Sequence, residues 1–154
     1  MSGLWLRDVA RLGTVRRTPE ASLKTIFLQA SGVLPKTEGD RRGEIVAEAL
    51  GHLQEGFGSH YAATRATDDA ILVGDTSYAW AVDTIARLDE PRFVGVASRM
   101  IRDGAGEISR GGAVTLELWT PHLAQLLGII SGEDEGRSKE RLKAAMNEIS
   151  RGAE

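Results

Sequence analysis

At 154 residues the chain has the length of one domain with a sizeable core. Its 42% apolar and 27% charged residues are ordinary for a globular protein, and a net charge of −3 leaves no basic footprint for nucleic acid. The lack of cysteine excludes disulfides, thiolate chemistry and Cys-containing zinc sites. No apolar run approaches the ~18 to 20 residues that span a bilayer, and the N-terminus lacks the apolar core of a signal peptide, so a cytoplasmic location is expected.

Helical periodicity dominates, and strict alternation is absent, which predicts an all-α antiparallel helix bundle. In chain order, Leu4, Trp5, Leu6, Val9 and Leu12 make a short amphipathic start, broken at Arg16 to Pro19. A second helix carries Leu23, Ile26, Phe27 and Ala30 and ends at Gly32 and Pro35. After a charged loop, "KTEGDRRG", a long helix places Ile45, Val46, Ala49, Leu50, Leu53, Phe57, His60 and Tyr61 on one wide face. Thr67 is the expected cap of the next helix, with Asp68 and Asp69 favoured in its first turn. "LDEP" closes that helix and opens another, with Asp89 as cap and Pro91 in the first turn. Phe93, Ala97, Met100, Ile101, Gly104 and Ile108 then form a one-sided face, stopped by Arg110 to Gly112. Thr120-Pro121 reads as the start of a helix through Ile130. The last helix, Ser138 to Ser150, offers Leu142, Ala145, Met146 and Ile149. One all-helical domain over 1–154 is expected, with 1–18 and 136–154 peripheral.

The stretch "AILVGDTSYAWAV" carries the informative anomaly. On a helical wheel Ile71, Gly74, Asp75, Tyr78, Val82 and Ile85 share one face, which puts Asp75 in an apolar environment. A buried carboxylate is costly without a partner, so a structural hydrogen bond to a neighbouring helix is the expected role of Asp75. Gly74 beside it marks a close approach of another helix. His60, inside the apolar face of its helix, is read in the same way as a buried, hydrogen-bonded histidine. His52 and His60 point in different directions on that helix, poor geometry for sharing a metal, and His122 is expected to be exposed. Arg92, Arg99 and Arg102 form a solvated face with the capacity to meet an acidic or diphosphate group. On the other side of the Gly-Asp helix, Val73 and Trp80 form an apolar stripe two turns long, the pattern of a helix-to-helix interface anchor.

Residues 45 to 130 resemble, in order, helices of the trans-isoprenyl diphosphate synthase superfamily. Gly74-Asp75 matches its Gly-Asp pair, followed by an aromatic- and alanine-rich helix, and Gly106-Glu107 resembles the Gly-Glu or Gly-Gln ending the next helix. The resemblance implies the first half of that all-α fold, with dimers packed through the Gly-Asp helix and the one after it. Catalytic members carry two Asp-rich clusters for magnesium and an allylic diphosphate. Here His60 matches the histidine preceding the first cluster, but Tyr61-Ala62 stand where its aspartates belong. Asp68-Asp69 continues as "AIL", Arg41-Arg42 lies in the wrong order for the family's arginine pair, and "WTPHL" replaces its Lys-Thr motif. The second Asp-rich half is not expected in a chain of this length. Without paired carboxylates there is no site for the cations that neutralise a departing diphosphate.

First-half helices without the chemistry resemble the small, non-catalytic subunit of two-component hexaprenyl and heptaprenyl diphosphate synthases. The resemblance implies a catalytic large subunit as partner, magnesium bound there and no cofactor or metal on this chain, and a role in setting product length for a quinone side chain such as that of menaquinone. It implies no catalytic residue here; Val73 and Trp80 are then the partner interface, and Phe57, Tyr78 and Met100 line the tunnel or core. Two other readings stand beside it. One is a homodimeric protein acting on or binding an isoprenoid diphosphate through Asp68, Asp69 and Asp75; the other is a helical interaction domain unrelated to isoprenoids.

Overall fold

Local capping signals set most of the helix ends. The computed structural model describes residues 17–32, 34, 41–61 and 66–152, and every regular element among them is an α-helix. These are α1 (Leu23–Gly32), α2 (Arg42–Tyr61), α3 (Asp68–Ala86), α4 (Pro91–Ser109), α5 (Leu116–Ser131) and α6 (Glu135–Gly152). The amphipathic start expected over Leu4 to Leu12 lies outside the described residues. None of the helices is long and apolar enough to cross a membrane.

Thr67 caps α3, its Oγ1 accepting the Ala70 N–H at 3.1 Å. Pro91 sits in the first turn of α4 as its sequence predicts, but the cap is Glu90 rather than Asp89: the Glu90 carboxylate accepts the Arg92 N–H at 3.1 Å. Asp89 instead turns the chain with a φ of 50°, a left-handed conformation that Asp tolerates better than most residues. Helix α5 begins a turn earlier than Thr120-Pro121. Thr115 caps it by accepting the Leu118 N–H at 3.1 Å, and Pro121 lies inside the helix. The proline removes the N–H that would bond the carbonyl of Glu117, itself an exposed residue.

The helices pack mostly on their sequence neighbours, and α1 closes against α6, the arrangement of an antiparallel bundle. The Gln54 side chain pins the start of α1 to α2: it accepts the Leu23 N–H at 2.8 Å and donates to the Ala21 carbonyl at 2.8 Å. In the core, the Phe57 ring meets Trp119 edge-on at 5.0 Å, and Gly104 makes room for it, since a Cβ there would come within 2.5 Å of Phe57 Cζ. Trp119 is fully buried and its Nε1 donates to the Met100 carbonyl at 3.1 Å. Removing a side chain such as Phe27, Phe57 or Phe93 from water stabilises the fold by about 2 to 3 kcal/mol each. Helix α6 packs on both α5 and α1, with Leu142 and Ala145 buried and Gln29 donating to Glu148 at 2.6 Å. It is fastened on two sides although its sequence offers few apolar residues.

Candidate functional site

Helix α3 is the edge of the bundle: it packs intimately on α2, and its contact with α4 is much smaller. The side it turns inward consists of small residues. Gly74, Ser77, Ala81 and Thr84 are buried, spaced by three and four positions along the helix, with Ile85 beside them. Small residues let two helix backbones approach closely. A Cβ on Gly74 would overlap the His60 ring, and one on Gly56 would come within 2.6 Å of the Tyr78 ring and 3.2 Å of the Gly74 carbonyl.

Because this narrow inner face is enough to hold α3, the large apolar residues of the helix remain outside. Ile71 and Val82 lie exposed on one flank, Val73 and Trp80 on the other, and Leu72 between them. Leu72 is 64% and Trp80 55% exposed. The Val73 and Trp80 stripe is thus exposed as a pair, with the Trp80 ring meeting His52 edge-on at 5.5 Å. Ile71 and Val82, by contrast, were expected on the core face and are not there. A wheel built on hydrophobicity alone weights isoleucine and valine over glycine, serine and threonine, and here the small residues win because they permit the closer packing. The spacing of Gly74, Ser77, Ala81 and Thr84 was the signal available in the sequence.

Asp75 is likewise not buried. Its side chain is 63% exposed, while that of His60 is 16% exposed. Rotation of α3 toward its small-residue face carries Asp75 to the rim, where its Oδ1 lies 3.1 Å from His60 Nε2. The same nitrogen is 3.1 Å from the Ile71 carbonyl, an acceptor, so Nε2 carries a hydrogen and donates to it, with the Asp75 carboxylate alongside at ion-pair distance. The ring is also held edge-on by Tyr61 at 5.6 Å and Tyr78 at 5.0 Å. Burial raises the Tyr78 phenol above its usual pKa, with smaller contributions from Tyr61 and Asp75, so this hydroxyl stays protonated. It finds no hydrogen-bond partner among the described residues. Of the residues assigned to a tunnel or core wall, Phe57 and Met100 are fully buried and Tyr78 is half-buried.

The other polar candidates are brought into local pairs. Arg92 bonds Glu90, Arg99 bonds Gln125, and Arg102 bonds Asp103. His122 was expected to be exposed, yet its side chain is only 12% exposed, because Nε2 reaches Asp103 Oδ2 at 2.8 Å across the α4 and α5 seam. Burial pushes the Asp103 carboxyl up, and the hydrogen bonds and charges of His122 and Arg102 outweigh it, leaving the pKa below the usual value. No three His, Asp or Glu side chains among the described residues are grouped to hold a metal ion.

The chain matches no family model, no curated protein and no solved structure. What α3 offers is two uncovered apolar flanks on one helix, joined across Leu72. Asp75, Thr76 and Asp83 share this outer side of the helix with the exposed apolar residues.

Proposed function

We propose that this chain is the non-catalytic small subunit of a two-component polyprenyl diphosphate synthase, of the hexaprenyl or heptaprenyl type, and that α3 is its assembly helix. One observation carries the reading: α3 spends its small residues on its own bundle and leaves Ile71, Leu72, Val73, Trp80 and Val82 exposed. A helix whose large apolar residues stay exposed on both flanks fits a surface completed by another helical chain.

The sequence resemblance supports the identity of that chain. Gly74-Asp75 falls on α3, and the residues after His60 are not the aspartates of the first Asp-rich cluster. The close contact of His60 with Gly74 supplies a packing role for the two matching positions. A catalytic subunit would bring the carboxylates, the magnesium they hold and the substrate sites. The small subunit completes the dimer, helps wall the tunnel in which the product grows and so influences chain length, for a quinone side chain.

Reconstitution tests this. Purified chain, a full-length catalytic subunit from the same source and an equimolar mixture are each given isopentenyl diphosphate, an allylic diphosphate and magnesium. Prenyl transfer by the mixture well above either component supports the proposal. Transfer by this chain alone, or no gain on mixing, contradicts it.

A further inference from the structure

We infer that the segment from Leu4 to Leu12 docks on the Ile71 and Val82 flank of its own chain's α3, over the shallow seam between α3 and α4. Leu72, Val73 and Trp80 then remain as the surface that the assembly reading gives to a partner, and the inference does not depend on that reading.

The two flanks of α3 face different neighbours. Trp80 leans on His52, beside a groove shared with Lys24 and Leu28 of α1, so that flank looks toward α1. Ile71 and Val82 lie within about 40° of Tyr78 on the helical wheel. Tyr78 meets the Phe57 ring at 5.8 Å, and the tip of that ring fits against Gly104 of α4, so this second flank looks toward α4. From α4 the half-buried Ile101 turns to the same seam, since it stands on the opposite side of its helix from Asp103, which bonds α5. Helices α3 and α4 touch sparingly, and Ile71 and Val82 stay exposed beside their seam.

The described chain begins at the end of the bundle where this flank starts. Arg17 is fixed to the corner between α4 and α5: its carbonyl accepts the Val114 N–H at 2.8 Å, and its guanidinium donates to the Ile108 carbonyl at 3.3 Å. Ile108 lies one turn further along α4 than Gly104, and Ile71 lies two turns nearer the start of the antiparallel α3 than Tyr78, so both stand at that end. The residues from Leu12 to Arg17 reach at most about 18 Å when extended, against about 8 to 10 Å between packed neighbouring helices. The flank is within reach. As a helix, Leu4 to Leu12 would be about 13 Å long, and Ile71 to Val82 covers about 16 Å of α3. Trp5, Val9 and Leu12 recur at i, i+4 and i+7, with Arg7 and Arg11 on the opposite side, a pattern that calls for one apolar surface. Among the described residues the exposed large apolar side chains are Leu28 and those of α3, and Ile71 is the one that stands one helix away from Arg17 on the α4 side.

The chain has no cysteine, so a nitroxide on one introduced cysteine reports a single position. The full-length chain is labelled with nitrogen-15 and carries the nitroxide either at Ala79→Cys, exposed on α3, or at Ala144→Cys, exposed on α6. The readout is the indole N–H signal of Trp5 in the nuclear magnetic resonance spectrum, with each chain verified as helical by circular dichroism. The α3 label should broaden the Trp5 signal several-fold more than the α6 label does, and Ile71→Asp with Val82→Asp should abolish the difference. Both substitutions fall on exposed side chains, which leaves the bundle folded. A Trp5 signal that the α3 label leaves sharp, or that both labels broaden alike, would overturn the inference, as would broadening that survives the two aspartates. Mixing nitroxide-bearing chains that lack nitrogen-15 with nitrogen-15 chains that lack the nitroxide should leave Trp5 sharp. Broadening in that mixture would overturn docking within one chain and assign the flank to the segment of a second copy. None of these outcomes touches binding at Trp80, so the assembly reading stands or falls separately.

Discussion

The ring of His60 occupies the space that a side chain at Gly74 would need, so the approach of α2 to α3 is set by these two residues together. Alanine at position 74 gains helix propensity of about 1 kcal/mol but forces the ring out of its packed position, an overpacking cost of roughly 1 to 3 kcal/mol. Gly74→Ala should therefore lower the melting temperature in the wild type and be neutral or stabilising in a His60→Ala background. Thermal melts of the four chains in this cycle measure the coupling. Equal effects in both backgrounds would show that the two residues do not share the space.

Asp75 should contribute little to stability. Its carboxylate is largely exposed, and pairs of that kind contribute about 0 to 1 kcal/mol. Asp75→Asn should shift the urea unfolding free energy by no more than about 1 kcal/mol. A loss of several kcal/mol would place this carboxylate back among buried, indispensable groups.

The seam between α4 and α5 should weaken in acid. The Asp103 pKa lies below its unfolded value, so the carboxylate contributes stability that is complete above the ordinary aspartate range and is lost as pH falls through the lowered folded pKa. Unfolding midpoints measured from neutral pH downward should fall more steeply for the wild type than for Asp103→Asn. Parallel curves would mean that the pair with His122 does not report on folding.

How legible this was in the sequence differs between the two sides of the molecule. The core side of α4 is read almost entirely from Phe93, Ala97, Met100, Gly104 and Ile108, because there hydrophobicity and burial coincide and one side of the helix is strongly polar. On α3 they part. Gly74, Ser77 and Thr84 are buried because they are small, and Ile71 and Val82 are exposed because the bundle ends there, which no single helix can reveal. The misplacement of Asp75 follows from the same rotation. His122 was legible only in part, since its partner Asp103 lies on another helix and the pairing depends on how α4 and α5 meet. The start of α5 was missed because Pro121 resembles a first-turn proline, while the capping residue, Thr115, stands a turn and a half earlier.

Trp119 should prove the most sensitive aromatic position. Trp119→Phe removes the donor to the Met100 carbonyl and leaves unfilled volume beside Phe57, at a cost of about 1 to 3 kcal/mol. Chemical denaturation checks the loss. A variant as stable as the wild type would mean that neither the hydrogen bond nor the packing is needed.

The proposed assembly role of α3 is tested most directly by calorimetric titration of a full-length catalytic subunit from the same source into the wild-type chain and Trp80→Glu, with circular dichroism of both free chains. The wild type should bind, Trp80→Glu should remain as helical as the wild type, and its binding should be weaker by about 2 kcal/mol or more. Equal affinities for the two folded chains would contradict it.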